Sequence, residues 1–296
     1  MSEFRSGFVA LAGRPNVGKS TLLNALVGQK ISIVTPRPQT TRHRLIGLLQ
    51  RPDAQIAFVD TPGLHLGQKR ALNRAMNRTA AAALGDADVA LLVLEALRWT
   101  PEDDLALSRV RDSGHVAIAV VNKVDRVRPR ARLLPYLAEL ARRHEFRAIV
   151  PISARSGTNL DDLQRVIVAA LPVGEALFPA DQVTDRTANF RIAEVIREKL
   201  TLELVEELPY GIAVELEQIE VLPDGRQEVS ALIWVDRSGH KPIVIGADGS
   251  RLKRIGRAAR LELNRLLGGR FHLTLWVKVR EDWADDARAL RQLGLE

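Results

Sequence analysis

The sequence predicts an α/β fold for its longer N-terminal part, a mostly parallel sheet flanked by helices, with a smaller α+β domain behind it. Three observations predict this. Short apolar runs, Phe8 to Ala12, Asp88 to Leu94 and His115 to Val121, read as strands buried on both faces. Helical stretches lie between them, as parallel strands require, because each crossover must carry the chain back to the starting edge. From residue 187 the order changes to helix, alternating hairpin, apolar segment, helix and strand, the pattern of a separate unit.

At 296 residues, 46% of them apolar, the chain is long enough for two cores. Its lack of cysteine excludes disulfides and thiolate metal sites and suits a reducing compartment. Met1-Ser2-Glu3-Phe4-Arg5 leads straight into the first strand without an apolar signal segment, and no run reaches the length of a membrane span, so the expectation is a soluble, cytoplasmic protein. The formal net charge of +7 hints at polyanionic partners. That charge is unevenly placed: residues 1–180 hold 25 Lys and Arg against 16 Asp and Glu, and residues 181–296 hold 18 against 20. Within the second part, however, residues 237–280 oppose eleven basic side chains to Asp248 and Glu262 alone. Arg greatly outnumbers Lys, and genome composition explains that bias more simply than thermal adaptation, whose signal is Lys with Glu.

Taken in order, the first strand runs into Gly13-Arg14-Pro15-Asn16-Val17-Gly18-Lys19-Ser20, followed by Thr21-Leu22-Leu23-Asn24-Ala25-Leu26. Strand, Gly-bounded loop and amphipathic helix form a phosphate cradle. Backbone N–H groups converge on an anion at the helix N-terminus, Lys19 adds a point charge for β- and γ-phosphates, and the Ser20 hydroxyl suits Mg²⁺. Residues 31–44 carry two prolines and a polar run and read as a mobile loop, in which Thr41, with Thr40 close behind, completes the magnesium shell. Ala54 to Val59 alternate into a strand ending at Asp60-Thr61-Pro62-Gly63. Asp60 sits where a second-shell magnesium ligand belongs, and Gly63, as the hinge of a second switch, can turn its N–H toward the γ-phosphate. Lys19, Thr41 and Gly63 are the catalytic candidates; Ser20, Thr41 and Asp60 are the metal candidates.

Residues 70–84 form an Ala-rich helix, and Pro101 to Arg111 another, with Thr100 as N-cap. The strand from His115 delivers Asn122-Lys123-Val124-Asp125. A carboxylate accepts both N1–H and the exocyclic amine of guanine, whereas adenine offers no such pair of donors, so Asp125 selects GTP over ATP; alternatively it caps a helix from Arg126 onward. Asn122 and Lys123 brace the loop and pack over the base. A last strand, Phe146 to Ile152, ends in Ser153-Ala154-Arg155, where the Ala154 N–H is placed to meet guanine O6. Helix 159–171 closes this domain, assigned to residues 1–176.

With these elements in order over residues 7–171, the chain resembles the translation-factor-related P-loop GTPases. The run from Gly13 to Asn24, the Gln39-Thr40-Thr41-Arg42-His43 loop and Asp60-Thr61-Pro62-Gly63-Leu64-His65 resemble the Era family in particular. Cofactors GTP/GDP and Mg²⁺ follow from the motifs. Ras-type enzymes orient the attacking water with a Gln after the switch Gly, but here that position is Leu64, so intrinsic hydrolysis is expected to be slow. His65 is a candidate general base without an evident orienting partner, or simply an exposed loop residue.

Residues 177–186, between Pro172-Val173-Gly174 and Arg186, read as an interdomain linker, and residues 187–296 as the second domain. There Ile212 to Val221 and Glu228 to Val235 alternate around Pro223-Asp224-Gly225 as a hairpin. Gly246-Ala247-Asp248-Gly249 then opens a helix rich in Arg, and Leu273 to Val279 make the last strand. This order resembles a KH domain of type II, whose Gly-x-x-Gly loop clamps single-stranded RNA. Gly246, Ala247, Asp248 and Gly249, with Arg251, Lys253, Arg254 and Arg257, are the RNA-binding candidates. Asp248 departs from the basic character of such loops and caps the helix instead. Leu252 and Ile255 face the core or floor the groove. Trp234, Trp276 and Trp283 either stack on bases or, as strand aromatics more often do, lie buried. The tail from Trp283 to Leu293 reads as a short packing helix.

Resemblance to the Era family implies 16S rRNA near its 3′ end and the 30S subunit as partners, a monomer, a role in 16S rRNA processing and subunit biogenesis, links to growth and cell-cycle control, and contact with the inner face of the cell membrane. Two other readings stay open on the residues alone. One is a signalling switch whose second domain docks proteins or membrane surfaces; the other is an ATPase.

Overall fold

A computed structural model describes residues 3–64, 70–205 and 208–295. The chain divides into two compact units, one of residues 1–69 with 73–185, the other of residues 70–72 with 186–296.

In the first unit β1 (Arg5–Ala12) leads through the Gly-rich loop to α1 (Lys19–Val27), then to β2 (Leu45–Gln50), β3 (Ala54–Asp60) and α2 (Ala71–Gly85). There follow β4 (Val89–Glu95), α3 (Pro101–Ser113), β5 (Val116–Asn122), α4 (Leu133–Arg143), β6 (Ala148–Pro151) and α5 (Leu160–Ala170). The sheet order is β2-β3-β1-β4-β5-β6, parallel except for β2, which runs antiparallel to β3. Alternation of side chains gives the sheet two buried faces. Val9, Leu11, Leu91, Val93, Ile118 and Val120 pack with Leu22, Leu23, Leu163 and Ile167 on one. Ala10, Leu92, Leu94, Ala119 and Val121 pack with Leu84, Ala106, Val110 and Leu140 on the other. Because the central strands are parallel, the loops after β1, β4, β5 and β6 all emerge at one edge, where β3 also ends.

Neither β2 nor α4 was anticipated from the pattern, and β6 is shorter than the expected 146–152. Residues 177–185, read as linker, are hydrogen-bonded to the first unit. Buried Gln55 accepts from the Leu177 and Phe178 N–H groups at 2.6 and 2.9 Å and donates to the Phe178 carbonyl at 2.7 Å. The Leu48 N–H donates to the Val183 carbonyl at 2.9 Å, so this segment covers β2, the edge strand.

The second unit consists of α6 (Ala188–Glu203), β7 (Ile212–Val221), β8 (Arg226–Val235), α7 (His240–Ile245), α8 (Ser250–Leu267), β9 (Arg270–Val279) and α9 (Ala287–Gln292). Sheet order is β7-β8-β9, with β7 and β8 antiparallel around the expected turn and β8 and β9 parallel. Ile196 and Leu200 of α6 and Ile255, Ala259 and Leu263 of α8 share a core with Val229, Ala231 and Ile233 of β8. The apolar segment before the Gly-x-x-Gly loop is the helix α7. Trp283 is fully buried and its indole N–H donates to the Gly211 carbonyl at 3.0 Å, which fixes the tail as packing.

Candidate functional site

The Gly13 to Gly18 loop is shaped by backbone conformations that side chains resist. Gly18 stands at φ 103°, and a Cβ there would lie 2.4 Å from the Asn122 amide nitrogen. Buried Lys19 donates to the Gly13 and Arg14 carbonyls at 2.8 and 3.1 Å, so its ammonium lies inside the loop it is meant to charge. Loss of solvation, the largest influence, lowers its pKa to about 8. Pro15, Thr21, Thr61 and Gly63 line the same cavity together with Lys19 and Ser20. Asn16 is held at the rim through a hydrogen bond to the Pro36 carbonyl at 3.2 Å.

Three oxygen donors meet beside Lys19. The Ser20 hydroxyl lies 2.8 Å from that of Thr41 and donates to Asp60 Oδ2 at 2.7 Å, and the Thr41 hydroxyl stands 3.5 Å from the same oxygen. Asp60 is fully buried, and its other carboxylate oxygen has no hydrogen-bond partner. Burial pushes its pKa up, against the pull of the Lys19 charge and neighbouring hydroxyls. Two hydroxyls, one carboxylate and an unsatisfied buried oxygen fit Mg²⁺, which keeps waters and phosphate oxygens in its shell and needs few protein ligands. Thr41, not Thr40, supplies the hydroxyl: Thr40 is turned to Thr35 and to the Arg37 carbonyl, at 2.6 and 2.8 Å.

Gly63 packs on Pro15, where an added Cβ would come within 2.7 Å of the Pro15 nitrogen. Leu64 is buried and its N–H donates to the Gly13 carbonyl at 3.3 Å. His65 lies outside the described residues, as does the second switch loop over 65–69.

On the base side, Asn122 donates to the Val17 carbonyl at 2.9 Å and accepts from the Lys123 and Ala154 N–H groups at 2.8 and 3.0 Å. The Ala154 N–H, assigned to guanine O6 from sequence, is thus spent on Asn122, because the two loops meet through that side chain. Ser153 is buried beside it, accepting the Ser156 N–H at 3.2 Å, while Arg155 is exposed. Asp125 is exposed and, among the described residues, has no hydrogen-bond or ion-pair partner; Lys123, two residues earlier, and not Asp125, holds the cap position of the short turn Val124–Arg126.

The Arg14 side chain points away from the cradle. It is buried with its guanidinium turned to Glu95 at 2.8 Å and Asp103 at 3.1 Å, so it braces the loop and leaves ligand contact to the backbone. Glu95 also takes the Lys123 ammonium at 3.0 Å. Burial would raise the pKa of Glu95, but hydrogen bonds from Arg14 and Lys123 outweigh it and hold the carboxyl below its usual range. Glu95 and Asp103 escaped sequence reasoning. The available signal was a lone acid ending the apolar strand Val89–Glu95.

In the second unit Gly246, Asp248 and Gly249 stand at φ 75°, 50° and 72°, with Ala247 between them in a single tight turn. Asp248 forms no cap: the N-cap of α8 is Gly249, which carries no side chain to accept. An open groove of about 410 Å³ is lined by Gly249, Leu252, Lys253, Gly256, Arg257 and Arg260 on one wall and His272, Leu273 and Leu275 on the other. Lys253, Arg257 and Arg260 are exposed and have no acidic partner among the described residues, whereas Arg254 pairs with Glu203 at 3.1 Å and Arg251 donates to the Ile243 carbonyl at 2.5 Å. Leu252 floors the groove and Ile255 joins the core. Of the tryptophans, Trp276 alone is largely exposed, and Trp234 donates to Glu215 at 2.9 Å.

Residues 8–123 match the family described as 50S ribosome-binding GTPase, and residues 207–284 match the KH domain. Over 288 residues the chain is 47% identical to GTPase Era of Actinobacillus pleuropneumoniae serotype 5b, covering 97% of this chain and 95% of that protein. It is 46% identical to GTPase Era of Histophilus somni over 292 residues, 99% and 97% of the two chains. Among solved structures, a variant of Aquifex aeolicus Era bound to GDP·AlF4⁻ superposes with a TM-score of 0.96 at 41% identity, over 99% of each chain. An Era in complex with MgGDPNP and nucleotides 1506–1542 of 16S ribosomal RNA does so with the same TM-score, identity and coverage.

Proposed function

The chain belongs to the Era family of GTPases, and on that premise we propose that it binds GTP with Mg²⁺, hydrolyses it, and holds ribosomal RNA with its C-terminal KH domain. The observation that carries the catalytic half is the meeting of Ser20, Thr41 and the half-satisfied Asp60 beside buried Lys19. Lys19 would hold the β- and γ-phosphates, and Ser20 and Thr41, with Asp60 behind them, would hold Mg²⁺, which when bound neutralises charge on those phosphates. With Leu64 buried, orientation of the attacking water falls to backbone groups, to a residue outside the motif, or to the partner.

The groove between α8 and β9 supports the RNA half: an apolar floor for unstacked bases, with Lys253, Arg257 and Arg260 at its wall for phosphates. We take the RNA to be 16S rRNA near its 3′ end, the related complex holding nucleotides 1506–1542 of 16S ribosomal RNA, and the role to be 16S rRNA processing and assembly of the 30S subunit by a monomeric, cytoplasmic protein whose hydrolysis acts as a timer. Links to growth control and contact with the inner face of the membrane belong to the same proposal. Among the described residues no helix is long and apolar enough to cross a membrane. The experiment is binding of a single-stranded RNA with the 16S 3′ sequence to wild type and to Arg257→Glu. We expect affinity to fall steeply with salt and with the substitution. Indifference to both would remove the groove from RNA recognition.

A further inference from the structure

We propose that the segment from Arg126 to Arg132, immediately after the base-recognition carboxylate, is a second nucleic-acid contact, one that takes the phosphate backbone of an RNA helix. Arg126, Arg128, Arg130 and Arg132 alternate along it with no acidic residue between them, and all four are exposed. Among the described residues none of the four side chains has an ion-pair or hydrogen-bond partner. Several other arginines of the same unit are paired, Arg14 with Glu95 and Asp103, Arg143 with Glu139 at 2.5 Å, and Arg51 with Asp53 at 3.0 Å; Arg109, Arg142, Arg147 and Arg155 are exposed without such a partner among the described residues, but none of them lies in a run of alternating arginines.

The segment is also shaped. Val127 is buried and its N–H donates to the Val124 carbonyl at 3.1 Å; the Arg132 N–H donates to the Pro129 carbonyl at 3.2 Å. Backbone bonds and one apolar anchor therefore fix the loop while its arginines face solvent. Four uncompensated guanidinium groups so close together repel one another, and a polyanion relieves that repulsion. The guanidinium fork, weakly hydrated and matched to phosphate oxygens, suits such a ligand better than an ammonium would. No aromatic residue lies between Arg126 and Arg132 on which a base could stack, so the contacts are to the backbone and independent of sequence, the mode by which proteins hold duplex RNA.

The inference rests on the ribosomal RNA reading above, and the test separates the two. The full-length protein, its Arg128→Gln/Arg130→Gln/Arg132→Gln variant and its Arg257→Glu variant are each titrated, over a series of potassium chloride concentrations, with two RNAs. One is the single-stranded 16S 3′ sequence and the other a blunt hairpin of unrelated sequence. The triple variant should weaken hairpin binding by about tenfold or more and flatten the slope of log affinity against log salt by about 2, while leaving single-strand binding and GTP hydrolysis as in wild type. Arg257→Glu should do the reverse. Unchanged hairpin affinity and slope in the triple variant would overturn the inference, as would loss of binding to phosphatidylglycerol vesicles in place of loss of hairpin binding. Failure of wild type to bind the single strand would instead overturn the reading it rests on.

Discussion

The Asn122 amide donates to the Val17 carbonyl at 2.9 Å and so ties the phosphate loop to the base-recognition loop, while its oxygen accepts the Ala154 N–H at 3.0 Å and ties in a third. One buried side chain thus sets the spacing between the two ends of a nucleotide. Replacement by Asp turns an acceptor toward the Val17 carbonyl and buries a charge. Asn122→Asp should weaken GTP and GDP alike by about 100-fold and destabilise the nucleotide-free protein by about 1–3 kcal/mol. Calorimetric titration with thermal melts checks this; equal affinity would show that the loops are spaced by other means.

Lys19 predicts a linked proton. With its pKa lowered to about 8 by burial, it is largely neutral at higher pH without nucleotide, and bound phosphates would recharge it. Near pH 9 nucleotide binding should take up close to one proton, near pH 6 none, with affinity falling as pH rises through about 8. The sign for folding is the opposite. The unfolded chain keeps the ordinary value of 10.5 and binds the extra proton, so nucleotide-free protein gains stability between about 8 and 10.5. Calorimetry in buffers of unlike ionisation heat reads the uptake, and Lys19→Met should abolish both it and tight binding.

Glu95 predicts a positioning effect. It holds Arg14 of the phosphate loop and Lys123 of the base loop at 2.8 and 3.0 Å. Glu95→Gln should raise the dissociation constants of GTP and GDP together, by about 5- to 30-fold, and leave preference for guanine over xanthine unaltered. A change in base preference would place Glu95 in recognition itself.

Leu64 stands where Ras-type enzymes place the Gln that orients water, yet it is 3% exposed and part of a core cluster. Leu64→Gln should therefore leave hydrolysis no faster and cost about 1–3 kcal/mol of stability. Phosphate-release assays would contradict this if the rate rose toward that of a Ras-type enzyme assisted by its activator.

What could be read in the sequence was local. Loop motifs that cradle phosphate or present a carboxylate depend on spacing within a few residues, and the apolar runs on each side set their strands and helices. What could not be read depends on partners far apart. Nothing near Arg14 showed that its side chain would brace the loop, because its acids, Glu95 and Asp103, lie 81 and 89 positions away. Gln55 gave no sign that its amide would seize the 177–178 backbone, 122 and 123 positions on, which is why that segment read as a linker. β2 was missed because Leu45-Ile46-Gly47-Leu48-Leu49 is continuously apolar, a run whose periodicity does not distinguish strand from buried helix.

Asp125, exposed and without a partner among the described residues, would read guanine at the far end of a nucleotide whose phosphates meet Lys19. Competition binding of GTP and xanthosine triphosphate to wild type and to Asp125→Asn tests it most directly, because an amide accepts N1–H but offers a donor to the xanthine carbonyl where the carboxylate accepted an amine. The variant should lose GTP and gain the xanthosine nucleotide, inverting preference by about 1000-fold or more. Retention of GTP preference in the variant would contradict it.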